Sequence, residues 1–414
     1  MKIVYVTYDG LEDPLGQSQV RPYVEGLARR GHRFEIVSFE KPGVPTRWRE
    51  RLFEGVHWTA LRYHRHPTVP ATAYDMSRGL AVSALIGLLR GAELIHARSY
   101  VPAAFVLPLT VARGTPLLFD TRGFWPEEKV DGGAWPADDP KYRAVKRIER
   151  TLFRRASAIA VVTLEAQRYL REEYPFAPEI AAPIHVIPGS VDLELFSPRV
   201  PPDPALAPRL SGARVLGYVG SLGTWYMDEA IGRFYLEWRK AVQSMDGRPT
   251  RLLVVTRSDP GDILRALQGA GVSDELVPFA ARHTGVPPAI RWAEAAVSFR
   301  QPSPSSRAGS PVKFGELLAC GIPVVTNTFG DTVRVFHGTS AGIRVEETTD
   351  EALRAAAYEL ASTARRDDVR DAARALAARW FHLAAAVSAY HDLYAAAVRP
   401  AGSSPPDVGW PRTS

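Results

Sequence analysis

The sequence has very little cysteine and no long hydrophobic run. Its one cysteine, Cys320, lies in an apolar helical stretch and excludes a disulfide framework. The longest apolar stretch, 101–112, contains two prolines and is too short to cross a bilayer. The segment 1–7 reads as a strand and not as a signal peptide, so we expect a cytoplasmic protein. The apolar segment 80–90 leaves open a peripheral contact at the inner face of a membrane, although we interpret it as a buried helix between the sheet and solvent.

Metal-binding patterns and blocks of charge are also missing. The ten histidines show no HExxH spacing and no Cys/His cluster, and the pair Asp138-Asp139 lacks the spacing of a carboxylate clamp. We therefore expect no bound metal and no cofactor, with any phosphate charge met by Lys, Arg and helix ends. The net charge of +6 is spread along the chain without a basic block. This argues against nucleic acid as a partner and is compatible with an anionic substrate.

What the sequence does contain is a regular alternation of strand and helix patterns. At 414 residues it is too long for one ordinary core. The alternation runs through two series, which predicts an α/β protein of two Rossmann-like, doubly wound domains facing each other across a cleft. A proline-rich stretch after residue 188 separates the series. The predicted organisation is an N-terminal domain 1–197, a linker 198–212, a C-terminal domain 213–380, a helix 381–398 and a disordered tail 399–414.

The most informative motif is the stretch 310–325, SPVKFGELLACGIPVV. Ser310 and Pro311 start a helix whose free N–H groups and dipole suit an anion. Lys313 adds a positive charge near that end, and Glu316 shares its helix face. A cation and a dipole for phosphate, with a carboxylate one turn away for a sugar diol, indicate a nucleotide-sugar site. The alternative is a capped amphipathic helix with a surface salt bridge.

Two strand exits in the second half of the chain extend this binding hypothesis. The loop 217–223 follows a strand, and Gly220 and Gly223 would let backbone N–H groups approach a diphosphate. Its GxxGxxG pattern differs from the GxGxxG pattern of dinucleotide-binding folds. Arg257 follows the next strand and is a further phosphate candidate. An ordinary tight turn and a surface arginine are the structural alternatives.

Two loops in the first half carry the remaining candidate residues. Gly16 leaves room for a phosphate or a sugar, and Ser18 reads as the N-cap of the following helix. The segment after the strand ending at Asp120 contains Arg122, two bulky aromatic residues and Glu127. These charged groups are costly to bury without partners, and the aromatic faces could stack on sugar rings. The alternative is a purely structural pair of Arg122 with Asp120.

These motifs together resemble the retaining glycosyltransferases of family 4, which have the GT-B fold. The resemblance rests on GQSQV at 16–20, IPGSVD at 187–192 and GELLACGIPVV at 315–325, and it covers about 1–398. It implies an acceptor-binding N-terminal domain, a C-terminal domain that binds the sugar donor, and a final helix that crosses back. It also implies that Glu316 binds the nucleotide ribose.

The sequence departs from the family pattern in two places. The position eight residues before Glu316 is Ala308, where the family has a glutamate that contacts the donor sugar's hydroxyls. The loop 220–223 lacks an arginine, and the residues after it a lysine, that the family uses for the diphosphate. Lys313 would compensate for the missing charge.

The resemblance implies transfer of a sugar from a nucleotide-sugar, a UDP-sugar by family frequency, to a hydroxyl of a glycan, lipid-linked or small-molecule acceptor, without a metal and with retention. Asp120, Arg122 and Glu127 are the candidate catalytic or acceptor-contacting residues. The residues expected to bind the sugar donor are Gly16, Gly220, Ser221, Arg257, Ser310, Lys313 and Glu316. Four alternatives stay open: an inverting route with Asp120 as base, a nucleotide-sugar epimerase, a phosphorylase-like enzyme, and a binding protein weakened by Ala308.

Overall fold

A computed structural model describes residues 1–223, 225–268, 271–272 and 274–399. The chain forms two compact units. Unit 1 contains Met1–Pro188 and the last helix, and unit 2 contains Gly189–His382. The tail predicted at 399–414 lies outside the described residues except for Arg399.

Unit 1 is built on an eight-stranded sheet with the strand order β3-β4-β2-β1-β5-β6-β7-β8. All neighbouring strands are parallel except the pair β3 and β4. The strands are β1 (Lys2–Thr7), β2 (Arg33–Glu40), β3 (Arg47–Phe53), β4 (Val56–Arg62), β5 (Leu94–Arg98), β6 (Leu117–Asp120), β7 (Ala158–Val161) and β8 (Ile184–Val186). Strands β5 to β8 are buried along their whole length, as parallel strands covered on both faces require.

The helices of unit 1 connect the carboxyl end of one strand to the amino end of the next. They are α1 (Pro14–Gln19), α2 (Arg21–Arg29), α3 (Thr68–Arg90), α4 (Tyr100–Arg113), α5 (Trp125–Asp131), α6 (Pro140–Arg155) and α7 (Leu164–Arg168). Ser18 lies inside α1 and its hydroxyl donates to the carbonyl of Pro14, so the predicted N-cap role is wrong. The helix begins earlier than predicted because Pro14 starts a turn of its own.

Helix α3 differs from the prediction of a buried helix over 80–90. One face is buried, with Gly79 against the ring of Phe105 and Ile86 in the core. Leu88 and Leu89 are 61% and 65% exposed on the outside. The predicted place between the sheet and solvent is confirmed, but the predicted burial is wrong for the outer leucines, because a long helix on one face of a sheet buries only the stripe that meets the sheet and its neighbour.

Unit 2 is built on a fully parallel six-stranded sheet with the order β11-β10-β9-β12-β13-β14. Its strands are β9 (Arg214–Val219), β10 (Thr250–Val255), β11 (Leu276–Phe279), β12 (Ala295–Ser298), β13 (Val324–Asn327) and β14 (Gly342–Val345). Its helices are α8 (Ala207–Leu210), α9 (Asp228–Met245), α10 (Pro260–Gln268), α11 (Val286–Ile290), α12 (Val312–Ala319), α13 (Thr332–Val335), α14 (Asp350–Thr363) and α15 (Asp367–Trp380).

The segment 198–212, predicted as a linker, lies within unit 2. It forms a 3₁₀ turn at Pro204–Leu206 and the short helix α8, and it buries Leu206 and Leu210. The last helix, α16 (Leu383–Ala397), belongs to unit 1. It packs on α2, and its Tyr394 and Leu393 are buried in the unit 1 core.

Each sheet has a topological switch point beside its first strand. In unit 2 the chain runs from β9 outward through β10 and β11, then returns to the other side of β9 at β12. In unit 1 it makes the same reversal around β1. Ligands of doubly wound folds bind at the carboxyl ends of the strands at such a point, because the connecting loops diverge there and leave a crevice. None of the helices in the described part of the chain combines the length and apolarity that a membrane span needs.

Candidate functional site

The helix that follows β12 in unit 2 places two charged side chains in the interior. Helix α12 begins directly after Pro311, and both Lys313 and Glu316 on its first turns are only 7% exposed. Exposed lysine and glutamate pairs are common, but these residues are rarely buried without a functional or ionic partner. The alternative of a surface salt bridge is therefore wrong.

The Lys313 ammonium is held by aromatic rings. Its Nζ lies 3.7 Å from the ring centre of Tyr226 and 4.5 Å from that of Tyr218. Among the described residues this Nζ has no hydrogen-bond partner. Burial lowers the pKa of Lys313, and the neighbouring Tyr226 opposes that shift. A desolvated cation with unused donors is well prepared to receive an anion.

The glycine loop after β9 lies against this ammonium. Gly220 has φ +115°, and a Cβ at that position would stand 3.4 Å from Lys313 Nζ. The Gly223 N–H donates to Asp228 Oδ2 at 2.7 Å, and the Tyr218 hydroxyl donates to the carbonyl of Ser221 at 2.5 Å. The loop is thereby fixed at both ends, and the lack of a side chain at Gly220 keeps its backbone close to the cation.

Glu316 occupies an apolar setting one turn further along α12. Burial raises the pKa of its carboxyl to about 7, and Lys313 opposes the shift. His283 Nδ1 lies 3.9 Å from Glu316 Oε1. The ring centres of His283 and Phe196 are 5.5 Å apart. Sequence reasoning missed His283, because the loop after β11 that carries it has no motif of its own. The carboxyl is therefore placed to accept hydrogen bonds from a diol once it is ionised.

A second cation, Arg300, comes from the end of β12. Its guanidinium carbon lies 5.9 Å from the ring of Trp225 and 5.8 Å from that of Phe329. Within the described part of the chain its buried Nε has no hydrogen-bond partner. An isolated antiparallel bridge pairs the backbone of Arg300 with that of Tyr226, the residue whose ring contacts Lys313. Burial would raise the pKa of Tyr226, but the charges of Lys313 and Arg300 lower it.

The other predicted residues of unit 2 are placed less centrally. Ser310 Oγ accepts from the Gly189 N–H at 3.3 Å, so it ties the start of the motif to the start of the unit. Arg257 is exposed, and its side chain makes no hydrogen bond or ion pair with a described residue. Ala308 ends a 3₁₀ turn at Pro304–Ala308 and is buried.

Unit 1 has its own buried polar cluster at the carboxyl end of β6. Asp120 Oδ2 accepts from the Tyr390 hydroxyl at 2.9 Å and lies 3.5 Å from His96 Nε2. Arg122 lies 3.9 Å from Asp120 Oδ1, and its guanidinium donates to Gln19 Oε1 at 2.7 Å. The structure thus brings Asp120 and Arg122 together, at a backbone φ of +58° for Arg122, a value rare outside glycine.

The charges of this cluster fix the ionisation of Asp120. Burial alone would raise its pKa, but Arg122, His96 and Arg98 together lower it. The pKa of His96 is itself lowered, first by burial. Asp120 is therefore a carboxylate with a depressed pKa, which makes it a weak general base at neutral pH.

Glu127 is separated from that cluster by its contacts. It accepts from Lys146 Nζ at 2.7 Å and from the Tyr142 hydroxyl at 3.4 Å. Lys146 also pairs with the buried Glu149, whose pKa is raised by burial. This network joins α5 to α6 and accounts for Glu127 as a packing residue.

Gly16 is enclosed by backbone. It is buried in α1, and a Cβ there would overlap the carbonyl oxygen of Gly10 and stand 2.5 Å from Leu11 Cα. The space beside Gly16 is therefore filled by the chain itself, so the room expected for a phosphate or sugar is not there. The glycine is needed because two backbone segments touch.

Replacing Gly16 by alanine should destabilise unit 1 by about 1–3 kcal/mol, because the added methyl group must push backbone apart. A thermal melt followed by circular dichroism measures the loss. Gly87→Ala is the matched control, since a Cβ there meets only Ala92 at 3.8 Å. That helical change should be neutral or slightly stabilising. Equal melting temperatures for the two variants would contradict the packing role.

No group of three or more His, Cys, Asp or Glu side chains that could hold a metal ion occurs in the described ranges.

Two family models match the chain. The model of Glycosyltransferase Family 4 matches residues 17–195, and that of Glycosyl transferases group 1 matches residues 213–363. No curated protein matches the sequence.

Solved structures share the fold over nearly the whole chain. Sucrose-phosphate synthase from Thermosynechococcus elongatus has a TM-score of 0.72 at 17% identity, with 95% of this chain and 98% of that chain covered. A glycosyltransferase from Rickettsia africae has a TM-score of 0.66 at 15% identity, with 96% of this chain and 98% of that chain covered. HepE of Anabaena, in complex with UDP and glucose, has a TM-score of 0.64 at 14% identity, covering 95% and 99%. These likenesses confirm the predicted fold of two Rossmann-like domains.

Proposed function

Because this chain belongs to the family 4 glycosyltransferases of the GT-B fold, we propose that it transfers a sugar from a UDP-sugar to an acceptor hydroxyl with retention and without a metal. The observation that carries the proposal is the buried Lys313 ammonium, which has no hydrogen-bond partner among the described residues. It lies beside the Gly220 backbone and one helical turn from the buried Glu316 carboxyl.

In this proposal the sugar donor's diphosphate binds between two cations and two sets of backbone N–H groups. Lys313 and Arg300 supply charge, and the loop at Gly220 and the start of α12 supply N–H groups. Arg300 takes the place of the basic residues that the family carries in and after the glycine loop. The Glu316 carboxylate accepts from the ribose hydroxyls. HepE in complex with UDP supports uracil as the base, as one member of the same fold.

The proposed reaction breaks the bond between the sugar's anomeric carbon and the diphosphate oxygen. The acceptor hydroxyl oxygen forms the new bond on the same face, and its proton passes to the departing phosphate oxygen. Lys313 and Arg300 stabilise the charge that grows on the diphosphate as it leaves. No bound metal is required in this scheme because the two cations and the helix dipole already face the phosphates.

Asp120 and Arg122 are the proposed acceptor contacts of unit 1. The inverting alternative would need Asp120 as the general base, and its lowered pKa makes it poorly suited to that role. The retaining route is favoured for that reason. We propose no acceptor role for Glu127, since Lys146 and Tyr142 engage it. The acceptor hydroxyl belongs to a glycan, a lipid-linked glycan or a small molecule, and each class is included in the acceptor panel below.

Calorimetry with UDP, GDP and ADP tests the binding half of the proposal, and we expect UDP to bind most tightly. Release of free UDP from a panel of UDP-sugars, measured with and without candidate acceptors and in the presence of EDTA, tests the transferase half. Release that depends on an acceptor and survives EDTA is expected. Binding without any turnover would favour the weakened binding protein, and interconversion of the sugar without an acceptor would favour an epimerase. Transfer to inorganic phosphate would favour a phosphorylase.

Changing Arg300 to alanine should weaken UDP binding by about tenfold or more, because a charge-assisted hydrogen bond is lost. If Arg300 binds the terminal phosphate, the variant should lose less affinity for UMP than for UDP. Arg379→Ala, an exposed arginine on α15, is the control and should leave both affinities unchanged. Isothermal titration measures all three proteins. Equal UDP affinities for wild type and Arg300→Ala would remove Arg300 from the site.

A further inference from the structure

Exposed apolar side chains gather at the amino edge of the unit 1 sheet, where the parallel strands begin and the preceding helices end. Leu85, Leu88 and Leu89, near the end of α3, are 44%, 61% and 65% exposed. Their spacing puts them on one face of the helix. Val111 at the end of the neighbouring α4 is 57% exposed. An apolar patch of this kind on a folded domain marks an interaction surface.

The charged residues exposed along the same edge are mostly basic. The topology places there the first residues of β1 and β2 and the last residues of α2, α3, α4 and α6. The exposed cations are Lys2, Arg29, Arg30, Arg33, Arg90, Arg113, Arg154 and Arg155, against the exposed acids Glu54 and Glu93. The helical segment that ends before β8 adds the exposed Arg171, Glu172 and Glu173 at the far end of the same edge. The side chains of Arg33, Arg90 and Arg113 make no hydrogen bond or ion pair with any residue that the structure describes.

A cavity opens beside the leucines at this edge. Its volume is about 450 Å³, and Leu89 forms part of its wall. Its charged lining comes from four cations, Lys2, Arg33, Arg49 and Arg90, and two acids, Glu35 and Glu54. Arg49 is paired with Glu35. The cavity therefore keeps an excess of positive charge beside apolar surface, and Arg33 and Arg90 are its cations without a side-chain partner among the described residues. This combination suits an anionic headgroup and the first carbons below it.

Arginines at helix ends also complement helix dipoles, which is the plain structural explanation. Helix dipoles do not account for Lys2 and Arg33, because these residues lie on strands. They also do not account for the exposed leucines of α3. The basic helix ends and strand starts are spread from β2 to β7, four strand spacings or about 19 Å. We propose that this edge of unit 1, from Lys2 and Arg33 to Leu88, Leu89 and Arg113, docks on the surface of an anionic phospholipid bilayer.

A planar surface of one sign fits these features better than a single anion does. Leucines at a helix end can enter the headgroup region while flanking arginines keep their charge at the phosphates. Anionic lipids attract each such cation, and salt weakens that attraction. The interaction needs neither UDP nor a sugar, so it can be tested independently of the transferase proposal.

The test is co-sedimentation of the full chain with vesicles of phosphatidylcholine alone and of phosphatidylcholine mixed with phosphatidylglycerol. We expect binding to the mixed vesicles, little binding to the neutral ones, and release as salt is raised. Soluble glycerol phosphate should not compete, because it lacks both the surface and the acyl chains. Full competition by glycerol phosphate would overturn the proposal in favour of a site for a free phosphate.

Two double variants separate the apolar part from the charged part. Leu88→Ser with Leu89→Ser should lower the partition coefficient at least about tenfold, while the preference for anionic vesicles is kept. Arg90→Glu with Arg113→Glu should lower it at least about tenfold and remove that preference. Val333→Ser and Arg379→Glu are exposed controls in unit 2 and should bind like wild type.

Folding of each variant is checked by its thermal melt. The leucine variant should match wild type because both side chains are exposed, and the arginine variant should melt slightly lower because glutamate opposes the dipole at two helix ends. Failure of the wild-type chain to bind the mixed vesicles would overturn the proposal. So would equal binding by wild type and both double variants, since the docking surface would then lie elsewhere. Unchanged UDP affinity in the double variants would show that the two sites are independent.

Discussion

Changing Lys313 to methionine should cut UDP affinity by roughly 10- to 150-fold, since a charged hydrogen bond is worth about 1.5–3 kcal/mol. The reason lies in the setting of the ammonium. It has been stripped of water, it rests on the rings of Tyr226 and Tyr218, and no described residue accepts its hydrogen bonds. Its donors are left for a phosphate. Uridine, which has no phosphate, should bind the variant as tightly as it binds wild type. Calorimetry with UDP and with uridine measures the loss of affinity for each ligand.

The same change should stabilise the unliganded chain. A buried charge costs free energy when, as here, no described residue accepts its hydrogen bonds, and a methionine of similar length fills the space at about 1–4 kcal/mol lower cost. The melting temperature without ligand should therefore rise, while the stabilisation by added UDP should nearly vanish. Lys313→Arg serves as the matched variant that keeps the charge. A methionine variant that melts lower than wild type and still binds UDP would show that Lys313 serves packing and not the phosphate.

The sequence alone predicts the role of Lys313, but it does not predict the residues that surround its side chain. The helix start at Pro311, the lysine and the carboxylate at Glu316 are local features, so spacing alone predicts that they share a face. Tyr226 and Arg300 reach the same place only because β9 and β12 are neighbours in the sheet. That neighbourhood follows from the strand order, which a pattern of alternating elements leaves open.

Two other outcomes show what local patterns leave out. Gly16 looked like space for a ligand, but the backbone of Gly10 and Leu11 fills that space. The segment 80–90 looked buried, but its exposed leucines depend on which face α3 turns to the sheet. In both cases the sequence predicts the helix but not the surroundings of its side chains. Those surroundings depend on contacts with segments that are distant in the chain or that fold back on the helix. The fold class survives such errors because it depends on the alternation itself.

The second large effect concerns the pH dependence of UDP binding. Burial raises the pKa of Glu316 to about 7, and only the ionised carboxylate can accept both ribose hydroxyls. UDP affinity should therefore fall about tenfold for each pH unit below 7 and level off above it. Glu316→Gln should bind more weakly at pH 8 and show no such dependence. Calorimetry in buffers of different ionisation enthalpy should also detect proton release when UDP binds to wild type near pH 6.5.

The stability of the unliganded chain should follow the opposite slope. The folded-state pKa of Glu316 is raised above its ordinary value of 4.5 to about 7, so the native state holds a proton that the unfolded chain has lost. The stabilisation is complete below pH 4.5 and disappears as the pH rises to 7, a change of about 3 kcal/mol. Denaturant unfolding of wild type and Glu316→Gln at several pH values isolates this contribution, because the amide cannot ionise. Parallel stability curves for the two proteins would mean that Glu316 is already ionised at low pH, and the tenfold dependence of UDP affinity would fail with it.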